Sequence, residues 1–280
     1  MGNIEIEVAK HYGDPNLLTR IFKGLEAVGV DLNSLKPEDL APIDEYHIGG
    51  RKATAHAIEK MSLSEDQHVL DIGCGIGGTA RFMAAQIGCK VTGIDLTPEY
   101  IAIAKKLTDL TGLGKNVNYE VASALAMPFE KETFDAAITI HTAMNIPERG
   151  ILYREISRVM KPGATLCIYD VMKKSDENIS FPVPWAQSAD TSHLTSPEEM
   201  LTLLDDAGFD VRDVDDRTDF ALNFFKQSLA AAADGPQQLG IHLLIGESAP
   251  EKFKNMQSNI EKGCITPVQM IANRRTNTTI

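Results

Sequence analysis

The stretch Val69-Leu70-Asp71-Ile72-Gly73-Cys74-Gly75-Ile76-Gly77-Gly78-Thr79-Ala80 constrains this chain more than any other. An apolar run carrying one acid meets four glycines in six residues, and a helical pattern follows. The order predicts strand, tight turn, helix. Glycine adopts positive φ freely and brings backbone N–H groups near a ligand with no Cβ in the way. Those groups and the helix N-terminus behind them predict a polar cradle.

The rest of the chain is placed by its distance from this turn. From residue 68 strands and helices alternate, which implies βαβ units and a parallel sheet. Strands are expected at His68–Ile72, Lys90–Leu96, Asn116–Ala122, Phe134–His141 and Ala164–Val171. Between them lie helices at Thr79–Gln86, from Pro98 to Leu110 behind the N-cap Thr97, and at Glu148–Met160. The turn Lys161-Pro162-Gly163 ends the last of these. The rhythm then breaks. Residues 173–196 hold Pro182, Pro184 and the single Trp185, and a loop this long is usually functional or disordered. Ser196 opens a capping box and a helix that closes near Gly208. A strand at Val211–Arg217, helices at about 219–232 and 238–262, and a strand at Ile265–Ala272 complete the chain. Before the core, Ile4–Ala9 and the helically spaced Leu17, Leu18, Ile21, Phe22, Leu25 and Val28 predict helices. The organisation expected is a helical cap over 1–60 and a main domain over 61–280. Residues 173–196 form a substrate loop of that domain, and 218–262 a helical insertion.

Composition excludes several classes. At 280 residues with a net charge of −12, the surface does not suit non-specific nucleic-acid binding. Cys74, Cys89, Cys167 and Cys264 are far apart, with no CxxC pair and no zinc spacing. Reduced, mostly buried thiols in a cytoplasmic protein are expected. The N-terminal residues hold no long apolar segment, and no run of about 18 apolar residues exists to span a membrane. No metal site is visible. A homodimer stays open.

Gly73, Gly75 and Gly78 satisfy G-x-G-x-x-G, and Asp95 ends the second strand 22 residues beyond Gly73. That spacing fits a dinucleotide fold. Asp71 argues otherwise: a carboxylate at the strand mouth is awkward beside a pyrophosphate and suits an ammonium-bearing ligand. With the extra Gly77, D-x-G-x-G-x-G-G resembles the nucleotide loop of class I S-adenosylmethionine (SAM) methyltransferases. The resemblance extends over residues 65–172. Ala122-Ser123-Ala124-Leu125-Ala126-Met127-Pro128-Phe129 resembles the family's adenine-lining segment. Phe134-Asp135-Ala136 and Arg158-Val159-Met160-Lys161-Pro162-Gly163 resemble its later strand and turn.

The resemblance implies a Rossmann-like, seven-stranded, mostly parallel doubly wound α/β sheet with the last strand antiparallel. It implies SAM as cofactor, held by Asp71, Gly73, Cys74, Gly75, Gly77, Asp95, Leu96, Ser123, Ala124, Leu125, Ile140 and His141. Asp95 would hold the ribose hydroxyls. Ser123 stands where the family often has Asp, a stronger acceptor for the adenine amino group. His47-Ile48-Gly49-Gly50 and Met144-Asn145-Ile146-Pro147 resemble small-molecule enzymes of the sarcosine/dimethylglycine and phosphoethanolamine type.

Methyl transfer from a sulfonium is an in-line displacement, which needs alignment and exclusion of water. His141, at the carboxyl edge of the fourth strand, is the candidate base or substrate hydrogen-bonder. The plain alternative is a histidine satisfied by backbone. Asn145 on the next turn could touch substrate or cap the turn. Tyr46 and His47 could close over the methionine end of the cofactor, or belong to a capping loop. Trp185 could form a cation-binding wall or anchor its loop. The function expected is SAM-dependent methylation of a small metabolite, with nitrogen ahead of oxygen or carbon. An NAD-dependent oxidoreductase and a non-catalytic SAM-binding protein are the competing readings.

Overall fold

The computed structural model describes Glu5, Glu7, Ala9, residues 12–233 and residues 238–276. Of the helix expected at Ile4–Ala9, Glu5, Glu7 and Ala9 are described and helical, and the other three residues lie outside the described residues. Seven strands form one sheet: β1 (His68–Ile72), β2 (Lys90–Asp95), β3 (Val117–Val121), β4 (Phe134–Ile140), β5 (Met160–Lys173), β6 (Phe209–Asp216) and β7 (Ile265–Arg274). Their order is β3-β2-β1-β4-β5-β7-β6. The first five run parallel, and β7 lies antiparallel between β5 and β6. This is the α/β sheet that the alternating pattern predicts.

Side chains alternate between the faces of the strands. Leu70, Ala137, Leu166 and Met270 meet α6 (Arg149–Val159) and α7 (Pro197–Asp206) on one face. Val69, Ala136, Ile138 and Cys167 meet α3 (Gly50–Met61), α4 (Gly78–Ile87) and α5 (Pro98–Leu110) on the other. Both faces are covered, which is why these strands read as continuous apolar runs.

The N-terminal region packs over the carboxyl end of the sheet. Leu17, Ile21 and Leu25 of α1 (Leu17–Ala27) are buried against Ile76, Tyr100 and Leu107. Removing three such side chains from water contributes roughly 5–9 kcal/mol before entropy. The short α2 (Ala41–Asp44) delivers Asp44 to Arg81 of α4 in an ion pair whose side chains are both 0% exposed. Gly78 is required there, since a Cβ would lie 2.3 Å from the Asp44 carbonyl oxygen.

Two local expectations change. Lys161-Pro162-Gly163 is not a turn between elements, because β5 begins directly at Met160. The pairing jumps from Phe134↔Met160 to Ala136↔Thr165, so these residues bulge out of a continuous strand. Gly163 takes φ +82° in the bulge. The helix expected at 238–262 is two helices, α9 (His242–Ile245) and α10 (Ala249–Glu261). Gly246, with φ +80° and ψ −163°, cannot continue a helix and separates them. Before them, α8 (Thr218–Ala233) packs Phe225 against Phe253 of α10.

Candidate active site

The strand order reverses between β1 and β4, and ligands of open α/β sheets bind outside the carboxyl ends at such a point. A cavity of about 1580 Å³ opens there. It is lined by the ends of β1, β2 and β4, by residues 41–52, and by α8, α9 and α10.

The glycine turn does less for a ligand than its composition predicts. The N–H groups of Gly73 and Cys74 both donate to the Ile94 carbonyl, at 2.8 and 3.0 Å. The Gly75 N–H donates to Asp95 Oδ2 at 3.0 Å, and the Gly77 N–H to the Cys74 carbonyl at 2.9 Å. The turn is therefore stitched to β2 and to itself, and these four N–H groups do not form a free anion cradle. A Cβ on Gly73 would strike Thr142, and one on Gly77 would strike the Tyr119 hydroxyl. Those glycines serve packing. Gly77 does not line the cavity, contrary to its assignment to the cofactor set; it faces Tyr119 and Arg81 instead. Gly75, at φ +55° with open space beside it, leaves room for a ligand.

Asp71, Gly73, Cys74, Gly75, Asp95, Leu96, Ser123, Ala124, Leu125, Ile140 and His141 all line the cavity. Asp71 is 3% exposed, and its Oδ2 has no partner among the described residues. Burial raises its pKa to about 8, helped by the charges of Glu45 and Asp95. An acid in this state is poised to receive a cation. Asp95 accepts from Gly75 N–H and, at 2.8 Å, from Thr97 N–H, and burial raises its pKa despite those bonds. Ser123 donates to the Glu5 carboxylate and accepts from Leu125 N–H at 3.1 Å. Its hydroxyl proton is thus already used.

Tyr46, His47, Asn145 and Trp185 line the same cavity, but their polar atoms are engaged elsewhere. Asn145 Oδ1 accepts from the Tyr12 hydroxyl at 3.2 Å, while Nδ2 donates to the carbonyls of Trp185 (2.8 Å) and Thr191 (3.3 Å). Tyr46 donates to the Pro184 carbonyl at 3.0 Å. Trp185 is 3% exposed, donates to Ser192 Oγ at 3.0 Å, and packs with Ile48, Val171 and Met256. Asn145 and Tyr46 thus tie the loop 184–191 over the cavity, and Trp185 anchors it. His47 Nε2 lies 3.0 Å from Thr54 Oγ1 and 3.2 Å from the Gly50 carbonyl.

His141 differs from these. Its Nε2 is buried without a partner among the described residues. Burial, then the neighbouring His47, holds its pKa well below the ordinary 6.5, so the ring is neutral. Its backbone takes φ +50°, a left-handed conformation uncommon for a side-chain-bearing residue and frequent at functional sites. The ring sits 4.9 Å from that of Tyr169 and 6.0 Å from that of His47.

Several lining residues carry no motif. Tyr100 and Thr142 flank the turn, and Phe220, Phe224, Leu243 and Phe253 wall the far end. Their spacing in the sequence is that of ordinary amphipathic helices, and only the tertiary packing turns them inward.

Residues 70–168 match the family model described as a methyltransferase domain. That match covers about a third of the chain, which is thus similar there to a methyltransferase domain. The fold is Rossmann-like, as in geranyl diphosphate methyltransferase in complex with SAM (TM-score 0.66, 18% identity, covering 80% of this chain and 84% of that one). The chain is 39% identical over 121 residues to sterol 4-C-methyltransferase strm-1 of Caenorhabditis elegans, covering 43% of this chain. It is 32% identical over 189 residues to phosphoethanolamine N-methyltransferase 1 of Arabidopsis thaliana, covering 65% of this chain. The match spans 36% of the length of each of these two relatives. Among solved structures, Haemonchus contortus phosphoethanolamine N-methyltransferase 2, in complex with phosphomonomethylethanolamine and S-adenosylhomocysteine, superposes with a TM-score of 0.70 at 20% identity. That superposition covers 83% of this chain and 55% of the other. Among the described residues no helix is long and apolar enough to cross a membrane.

Proposed function

We propose that this protein transfers a methyl group from SAM to a small molecule, with a nitrogen as acceptor, in the cytoplasm. The observation that carries the reading is Asp71, a buried acid at the mouth of β1 with one oxygen unpartnered among the described residues. A cationic amine fits it, and a dinucleotide pyrophosphate does not. The N–H groups of the turn, already spent on β2, argue in the same direction.

The lining residues fit SAM. Asp71 would take the ammonium group, and Asp95 keeps lone pairs for the ribose hydroxyls beyond the two N–H bonds it accepts. Leu96 and Ser123–Leu125 would flank the adenine. When bound, SAM supplies an electrophilic methyl on a sulfonium. The chain then has to orient the acceptor, exclude water and accommodate a proton. Tyr46, Asn145 and Trp185 close the loop 184–191 over the cavity, which serves exclusion. His141 lines the cavity, its Nε2 has no partner among the described residues, and it would orient the acceptor by a hydrogen bond. A ring whose pKa lies well below 6.5 is a weak base, ill suited to drawing a proton from a hydroxyl. A neutral amine attacks with its own lone pair and needs no base in the transfer step, which favours nitrogen.

Thermal denaturation with S-adenosylhomocysteine (SAH) against NAD tests the cofactor. Stabilisation by SAH of about 2–3 kcal/mol at a hundredfold excess over Kd is expected, with none from NAD. Transfer of label from methyl-labelled SAM to an extract of small molecules tests the reaction. If neither SAM nor SAH stabilises the protein, the reading fails.

A further inference from the structure

The cavity is larger than one ligand needs. A drug-sized molecule fills roughly 300–1000 Å³, and this cavity holds about 1580 Å³. Its far end carries a run of large apolar residues. Phe224 and Phe225 come from α8, Leu243 and Leu244 from α9, and Phe253 and Met256 from α10. One wall belongs to the apolar cluster of Trp185, Phe225 and Met256. The other is continuous with the cluster of α1, against which Leu243 and Leu244 pack. The polar side chains in this region are Asn223, Gln227, Ser228, His242 and Glu247, of which Gln227 donates to Asn223.

Charge points the same way. Arg20 lines the cavity but is bound to Asp14 and to the Leu243 carbonyl. Arg51 is held by Glu45 and lies over the Phe82 ring. Glu148 and Glu247 line the cavity as well. Arg20 and Arg51 are thus paired with acids, Lys52 is the remaining lining cation among the described residues, and the lining acids outnumber these three, so this is a poor receptor for a phosphate.

We infer that the acceptor is a bulky, apolar, phosphate-free small molecule, whose hydrocarbon or aromatic body fills the chamber between α8, α9 and α10 while its nucleophile meets His141. This rests on the methyltransferase reading and narrows its substrate. Burying such a body gives binding energy through area removed from water rather than through ion pairs.

The test uses the full chain loaded with SAH, with calorimetry of four probes: 1-naphthylmethylamine, 1-naphthylmethanol, ethanolamine and phosphoethanolamine. A naphthyl probe should bind at least tenfold tighter than ethanolamine, and phosphoethanolamine should not bind measurably. Leu244→Gln and Phe224→Ala should each weaken the naphthyl probe fivefold or more with SAH affinity retained, and the SAH measurement shows that each variant is folded. A preference below tenfold, binding of no probe, tighter binding of phosphoethanolamine, or variants that leave naphthyl affinity unchanged would each overturn the inference. Failure of SAH itself to bind is a separate result and removes the methyltransferase reading instead.

Discussion

The two halves of the cavity are built in different ways. The half proposed for the cofactor comes from strand ends: Asp71 near the end of β1 and Gly73 after it, Asp95 and Leu96 at β2, Ser123 after β3, His141 after β4. Each piece is local, and the parallel sheet sets them side by side. The acceptor half comes from α1, the loop 184–191 and α8–α10, segments joined only by packing and by bonds such as Arg20 to the Leu243 carbonyl, 223 residues apart. A half made of strand ends is rigid and keeps one ligand. A half made of packed helices changes shape with any large side chain, so it is where specificity can differ between chains sharing one cradle.

The largest effect expected is at the seam between cap and cradle. Asp44→Ala leaves the Arg81 guanidinium buried without its carboxylate and should cost about 3–5 kcal/mol in denaturant unfolding. A loss below about 1 kcal/mol would mean that the cap does not depend on this pair. Within the cradle, Asp95→Ala removes the acceptor for Gly75 and Thr97 N–H as well as the ribose partner. The Kd for SAH should rise by the roughly 1.5–3 kcal/mol of a charged hydrogen bond, about 10–150-fold, measured by calorimetry. An unchanged Kd would take Asp95 out of the site.

Asp71 links the cradle to pH. Its pKa of about 8 means the ligand-free protein holds a proton there at pH 7. An ammonium group favours the carboxylate, so SAH binding should expel that proton. Affinity should fall up to tenfold per unit as pH drops below about 8, and Asp71→Asn should flatten the profile. The same shift acts on stability. The folded state keeps a proton that the unfolded chain loses near pH 4, so this group's contribution to stability declines as pH rises from about 4 to about 8. Calorimetry in buffers of differing ionisation enthalpy counts the protons; no release at pH 7 would show that Asp71 is already charged. The smallest effect belongs to the junction of the halves. His141→Ala should lower kcat about tenfold while SAH affinity stays within about twofold, read on an acceptor found by labelled transfer. The reverse pattern would make His141 a cofactor residue.

The alternation of strands and helices was legible because a sheet covered on both faces demands apolar strands, and Val69 to Ile72 or Phe134 to Ile140 supply them. The cavity position of Asp71, Asp95 and Ser123 was legible because each lies at or beside the carboxyl end of a strand. The use made of the glycines was not. Composition predicts free N–H groups, whereas the pairing of β1 beside β2 brings the Ile94 carbonyl to those of Gly73 and Cys74. Gly77 faces Tyr119 from β3, a packing relation that no spacing encodes. Asn145 was legible as a turn residue, but its three partners come from Tyr12, Trp185 and Thr191, and local sequence cannot name them.

By itself, then, the sequence determined the class of sheet, the turn that starts it and the acids at its carboxyl edge, because these depend on period, on glycine and on chain direction. Only the tertiary structure decided which of those groups remain available to a ligand. It left Asp71 Oδ2 and His141 Nε2 without partners among the described residues, closed Asn145 and Tyr46 into the cover of the cavity, and turned the aromatic faces of α8 and α10 inward. Availability depends on what every other segment has already bonded or buried, and that is a property of the packed chain.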